Sequence, residues 1–236
     1  MNTSEQQAIF AMAITVILSY IYYFTLQWIG TVEMKTTNSM IAKHFLARKI
    51  IGFVLLGILP ALLVWFCFGV KTLQIKIISG NSSNLWAWLI GVTILLVVIN
   101  LFNAKNADLR AMYPEMRLQQ WNICSLTIAA GGWILYLTGY EYLFRGILFF
   151  NCITAFGIWP AITINLMLYS TLHLYKGLKE AIAAIPFGLL LCYITIESNS
   201  ILPAILIHSV QAISAEISCI YRNKEMKFSF IKNILS

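Results

Sequence analysis

The chain has 236 residues, of which 60% are hydrophobic and 11% charged, and its mean hydropathy is +0.80. That is more apolar surface than a soluble core of this length can enclose, so a water-soluble globular protein is excluded and the medium is lipid. The net charge of +7 would suggest a nucleic-acid partner in a soluble chain, but the placement of the basic residues gives it another meaning and no nucleic-acid binding is expected.

Uncharged apolar runs recur at about 8–30, 50–70, 85–103, 121–140, 147–172, 181–196 and 201–221, each near the ~20 residues that cross a bilayer as a helix. The expected fold is all-α, a polytopic transmembrane helix bundle of about seven spans, with six or eight as alternatives. The first run follows Glu5 rather than basic residues and shows no small-residue cleavage site, so it reads as a span and not as a signal peptide. The chain divides into N-terminal spans with basic loops over 1–120, a motif-bearing core over 121–221 and a basic tail over 222–236.

Basic residues concentrate in every second loop, on one side of the membrane. Lys35, Lys43, Arg48 and Lys49 follow the first run, Lys105, Arg110 and Arg117 the third, Lys176 and Lys179 the fifth, and Arg222, Lys224, Lys227 and Lys232 the last. Only Lys71 and Lys76 fall in the alternate loops. The excess of Lys and Arg on the cytoplasmic side then orients the chain N-terminus out and C-terminus in, with the tail facing anionic lipid heads, in what is expected to be a bacterial plasma membrane. The five cysteines, Cys67, Cys124, Cys152, Cys192 and Cys219, lie in or beside apolar runs without a CxxC spacing and read as small buried hydrophobes. No metal site and no cofactor are expected.

Against this background Glu141 and Arg145 stand out, in Tyr140-Glu141-Tyr142-Leu143-Phe144-Arg145-Gly146. An ionisable group costs roughly 2.5 to 3.5 kcal/mol at membrane depth on insertion scales, so it has a partner or a task. If residues 121–152 form one helix, the two are four apart on one face and can neutralise each other, a structural ion pair fixing helix register. His173 ends the fifth run and His208 sits within the seventh, whereas His44 reads as a solvated loop residue. A carboxylate and two imidazoles on separate spans of a bundle can hold a metal or can activate water directly. No HExxH pair is present, which favours water activation, with carboxylate and both imidazoles within about 3 Å of one shared water.

These segments, in this order, resemble the CPBP family of intramembrane glutamic-type proteases, which includes type II CAAX prenyl proteases and bacteriocin-processing or immunity proteins. The family's Glu-Glu-x-x-x-Arg motif is similar to Tyr140-Glu141 through Arg145 with Gly146 following. Its Phe-x-x-x-His motif resembles Tyr169 to His173, and its His-x-x-x-Asn motif resembles His208 to Ala212 after the lead-in Ser200 to Ala204. The resemblance covers about residues 125–215. It implies a membrane endopeptidase with Glu141, Arg145, His173 and His208 as site residues: Glu141 as water-activating base, Arg145 holding Glu141 or a substrate carboxylate, and the histidines positioning water and stabilising the oxyanion. The chain departs from the family at Tyr140, where the first glutamate is expected, and at Ala212, where an asparagine is expected. A phenol of ordinary pKa ~10 cannot serve as a base near neutral pH.

Two readings therefore stand. One is an endopeptidase cleaving a membrane-associated peptide or protein. The other is a catalytically inactive scaffold or partner protein that keeps the bundle and its polar centre. A transporter lacks support, since no paired Gly/Pro-interrupted spans suggest inverted repeats. Glu216 and Asn165 fall eight residues from His208 and His173 and could support the site; Glu216 is expected near water at a helix end. Trp28, Tyr22, Tyr23, Trp86, Trp88, Trp121 and Trp159 read as interfacial anchors.

Overall fold

A computed structural model of the protein describes residues 1–30, 37–69 and 83–228. Lys35, Lys71, Lys76 and Lys232, which entered the charge pattern, lie outside the described residues. The elements in order are α1 (Thr3–Ile29), α2 (Asn38–Phe53), a π-helical turn Val54–Ile58, α3 (Leu59–Phe68), α4 (Ser83–Asn103), α5 (Ala107–Met112) and β1 (Gln120–Trp121). They are followed by α6 (Ile123–Glu141), a π-helical stretch Tyr142–Phe149, α7 (Phe150–Phe156), α8 (Ile158–His173), a 3-10 turn Leu174–Lys176, α9 (Leu178–Ser198), α10 (Leu202–Arg222) and β2 (Lys227–Phe228). The two short strands pair in parallel, Gln120 with Lys227 and Trp121 with Phe228, and tie the segment after α10 to the entrance of α6.

Among the described residues six helices are long and apolar enough to cross a membrane: Thr3–Ile29, Asn38–Phe68, Trp86–Asn103, Ile123–Phe156, Leu178–Ser198 and Leu202–Arg222. With α8, of 16 residues, the bundle has the expected polytopic helical form. The fourth and fifth runs divide at a different place from the one read in the sequence. The apolar pattern is interrupted at Glu141 and Arg145, but the helix passes through them because they pair within it. It stops at Gly157, whose φ of +86° is one that L side chains adopt only with strain.

Large apolar side chains such as Trp28, Phe66 and Tyr221 point outward, as a lipid-facing surface requires. The interior uses small residues where helices meet. At Gly139 an added Cβ would stand 3.1 Å from the Phe53 Cα and 3.2 Å from the Gly57 backbone nitrogen, so α6 and the first π-helical turn cross almost backbone to backbone. That crossing lies two residues before Glu141 and sets its height in the bundle. Gly139→Val is therefore expected to lower the thermal midpoint of the purified protein in detergent by several degrees and to reduce yield, while Gly131→Val, where a Cβ meets nothing within 4 Å, leaves both within error.

The polar segments gather at one end. Lys49 and Arg48 meet Glu115, Arg48 at 3.5 Å, and Lys179 meets Asp108 at 2.7 Å. Lys49, expected in a loop, is instead 2% exposed on α2, with its ammonium 3.2 Å from the centroid of Trp133. Glu216, expected near water, is 2% exposed, accepting from Trp133 Nε1 and from the Glu115 backbone N–H, each at 2.9 Å. Burial pushes the Glu115 carboxyl upward, but Lys49 and Arg48 outweigh it and hold it below the usual carboxylate range. His44 lies on α2 with Nε2 buried, and Trp121 is wholly buried rather than an interfacial anchor. Both residues lie on elements that pack against others, α2 on α6 and β1 on β2, which a linear reading does not show.

Candidate active site

The centre is built where α6 gives way to the π-helical stretch. Widening of a helix by one residue per turn is frequent at functional sites, and it leaves carbonyls to be satisfied from elsewhere. Here Asn165 of α8, fully buried, donates from Nδ2 to the Phe144 carbonyl at 2.8 Å, and its Oδ1 lies 3.4 Å from Cys192 Sγ on α9. Asn165 thus pins the π-helical stretch, α8 and α9 together at the residue preceding Arg145. Its eight-residue offset from His173 was the only sign of it in the sequence.

Glu141 and Arg145 are both fully buried and form the expected i,i+4 pair, with Arg145 Nη1 3.1 Å from Glu141 Oε2. The guanidinium also lies over the Tyr169 ring, 4.5 Å from Cζ to the centroid, so an aromatic face covers part of a cation that would otherwise be poorly compensated. The Nη1 hydrogen bond goes to Oε1 at 3.3 Å, and Arg145 Nε and Nη2 and Glu141 Oε2 have no hydrogen-bond partner. The other carboxylate oxygen, Oε1, is 2.5 Å from His208 Nδ1 on α10. A carboxylate can only accept, so Nδ1 carries a proton, and in the neutral imidazole Nε2 keeps its lone pair.

A cavity of about 740 Å³ opens beside this pair, between α1, α4, α6, the α8–α9 turn and α10. His208 and His173 line it, together with Tyr140, Tyr169 and Ala212. His173 donates from Nδ1 to the Tyr169 carbonyl at 2.8 Å, so in the neutral ring Nε2 is again the acceptor nitrogen. The Tyr169 ring stands 4.6 Å from His173 and 6.2 Å from His208, centroid to centroid. Glu141 and Arg145 do not line the cavity; they stand behind its wall. The structure therefore brings Glu141 into direct contact with both Arg145 and His208 and sets both histidines on the cavity. It does not bring the carboxylate to the place where a water shared with both imidazoles would sit.

Tyr140 occupies the wall position that the motif comparison gives to a first glutamate. Its ring is stacked on Phe144, 4.5 Å apart with planes 16° from parallel, and meets His208 edge-on at 5.8 Å. Its hydroxyl is buried without a partner. Ala212 likewise presents only a methyl group where the third motif carries an amide. The side chain of Gln211, one residue earlier, is engaged with Asn100 of α4 at 3.2 Å. Among the described residues no group of three or more His, Cys, Asp or Glu side chains is placed to hold a metal ion.

Two features of the cavity had no signal in the sequence, where Lys176 reads only as one of the basic loop residues. Tyr113 and Lys176 both line it, and Lys176 Nζ donates to Tyr113 Oη at 3.3 Å. Burial pushes the Tyr113 phenol above its ordinary value, and Glu180 adds to this against the opposing Lys176, so the hydroxyl keeps its proton.

Fold and site together define a polytopic integral membrane protein with a buried acid–guanidinium–imidazole centre beside a cavity within the bundle. Residues 120–213 match the family model described as Type II CAAX prenyl endopeptidase Rce1-like, and the CPBP resemblance is borne out over that segment. Neither curated proteins nor solved structures give a match to the chain.

Proposed function

We propose that the protein is an intramembrane endopeptidase of the CPBP type in which Glu141 acts through His208. The observation that carries this reading is the 2.5 Å contact between Glu141 Oε1 and His208 Nδ1, on a histidine whose other edge belongs to the cavity wall. In this reading His208 Nε2 takes a proton from water, and the resulting hydroxide attacks the peptide carbonyl carbon. His208 then returns the proton to the leaving amine nitrogen as the C–N bond breaks. The buried carboxylate fixes the imidazole tautomer and stabilises the imidazolium that forms, without being protonated itself. His173 Nε2, also an acceptor, orients the same water. Arg145 pairs with Glu141 and holds it in place; its full burial behind the cavity wall leaves it no role in holding a substrate carboxylate.

The substrate in this reading is a membrane-associated peptide or protein whose apolar part fits a cavity walled by Tyr22, Tyr136, Tyr140, Phe187 and Leu190. The end where Lys49, Glu115, Lys176 and Lys179 gather is taken as cytoplasmic, following the Lys/Arg bias, with the N-terminus out and the C-terminus in, in a bacterial plasma membrane. A second reading, a non-catalytic membrane scaffold or partner, is favoured by one observation: Tyr140 and Ala212 put an aromatic ring and a methyl on the wall where the family motifs carry an acid and an amide.

A cleavage assay separates the two. Purified protein in nanodiscs, offered a library of membrane peptides and followed by mass spectrometry, is expected to release defined fragments. His208→Asn and His173→Ala are expected to lower that release at least ~100-fold with the melting midpoint retained. Absence of fragments from the unmodified protein, with the same substitutions altering only a co-purifying complex, would decide for the scaffold.

A further inference from the structure

The cavity carries a second polar place that water activation leaves unused. After His173 the chain makes a single 3-10 turn, Leu174–Lys176, and then reverses at Gly177, whose φ is +109°. Side chains three apart in a 3-10 turn eclipse one another, with a rise of about 2 Å per residue, so Lys176 emerges on the same side as His173, about 6 Å further along. Its ammonium is set among aromatic rings, with centroids of Tyr113, Tyr175 and Trp133 at 5.6, 5.8 and 5.9 Å. Arg48, Lys49, Arg145 and Lys179 each meet a carboxylate, whereas Lys176 has none within 4.0 Å among the described residues.

A cation in such a setting is attracted by the ring faces but keeps donors to spare. One of its three N–H bonds goes to Tyr113 Oη at 3.3 Å, and because that oxygen accepts from Lys176, its own O–H remains available. Two donors, one of them charged, thus stand side by side on the cavity wall. Glu180, on the same wall, repels anions and narrows the favourable place to the Lys176–Tyr113 side. The rest of the lining is largely apolar or aromatic, so a ligand that suits both parts is an apolar molecule with one anionic end.

We propose that Lys176 and Tyr113 form an anion subsite for the carboxylate or phosphate group of an otherwise apolar occupant of the cavity. The inference rests on the cavity being the binding place named in the proposed function, though not on hydrolysis there. Two sources share this chemistry: the free C-terminal carboxylate of a membrane peptide and the phosphate of a lipid.

The test uses the full chain in phosphatidylcholine nanodiscs and two fluorescent hydrophobic peptides that differ only in a C-terminal carboxylate or amide, with anisotropy as the readout. Dodecyl phosphate and dodecanol compete as a second arm. The carboxylate peptide, dodecyl phosphate, or both are expected to bind about 10-fold more tightly than the neutral counterpart, the size of one hydrogen bond to a charged group. Lys176→Gln is expected to erase that preference, Lys176→Arg to keep it, and Tyr113→Phe to reduce it about 3-fold, with melting midpoints confirming that each variant folds. Preference in the first arm identifies a peptide terminus and in the second a lipid phosphate. Equal binding of charged and neutral probes in both arms, or a preference that survives Lys176→Gln, overturns the subsite. A preference that is present while no peptide is cleaved leaves the subsite standing and sinks only hydrolysis.

Discussion

Glu141→Gln is expected to stop peptide cleavage and at the same time to destabilise the bundle, and a second substitution separates the two effects. The amide cannot stabilise an imidazolium on His208 as a carboxylate does, and losing that support is expected to lower kcat by about 10² to 10⁴-fold, the usual weight of general acid–base assistance. The same change leaves the Arg145 guanidinium, fully buried, without its counter-ion. Breaking a buried pair from one side costs about 3–5 kcal/mol, because the remaining charge stays desolvated. Glu141→Gln combined with Arg145→Met removes that orphan charge and replaces the stem with one of similar length against Tyr169. The double variant is expected to regain most of the melting midpoint and none of the activity. Measured as thermal unfolding in detergent beside single-turnover cleavage in nanodiscs, a double variant that recovers both would mean that the carboxylate has a structural role alone.

Tyr140→Glu is expected to raise activity, in contrast to almost any other change in the core. The position lies on the cavity wall, beside His208 and Tyr169, where Glu141 does not reach. A carboxylate there faces the cavity directly, and direct general-base assistance is expected to increase kcat about 10 to 100-fold over the unmodified chain, with little change in KM. The cost is the loss of the ring stacked on Phe144, so the variant is expected to melt lower. Tyr140→Phe supplies the control. It keeps the stack and removes a buried hydroxyl that has no partner, so stability is expected to rise by about 1 kcal/mol with cleavage unchanged. Should Tyr140→Glu bind substrate but cleave no faster, the geometry of the wall does not support direct water activation at this position.

The lipid medium, the helical class and the approximate number of spans were legible in the sequence because they follow from quantities that do not depend on contacts: the amount of apolar surface and the length of uncharged runs. The Glu141–Arg145 pair was legible for a similar reason, since four residues on a helix is a local distance and burial of either charge alone is too costly. The motif order was sufficient to mark His173 and His208, and the segment that carries it matches the family over 120–213.

Tertiary structure alone decided which atom each group faces. The face that Glu141 presents depends on the widened helix at Tyr142–Phe149, on the Gly57–Gly139 crossing and on where α10 lies, none of which is a local property. For that reason sequence placed the carboxylate at a shared water, whereas the fold sets it behind the wall against His208. Lys49 and Lys176 read as loop residues because their partners, Glu115, Trp133 and Tyr113, are tens of residues away along the chain. Composition and periodicity fix what must be buried; only the packing of distant helices fixes what each buried polar atom meets.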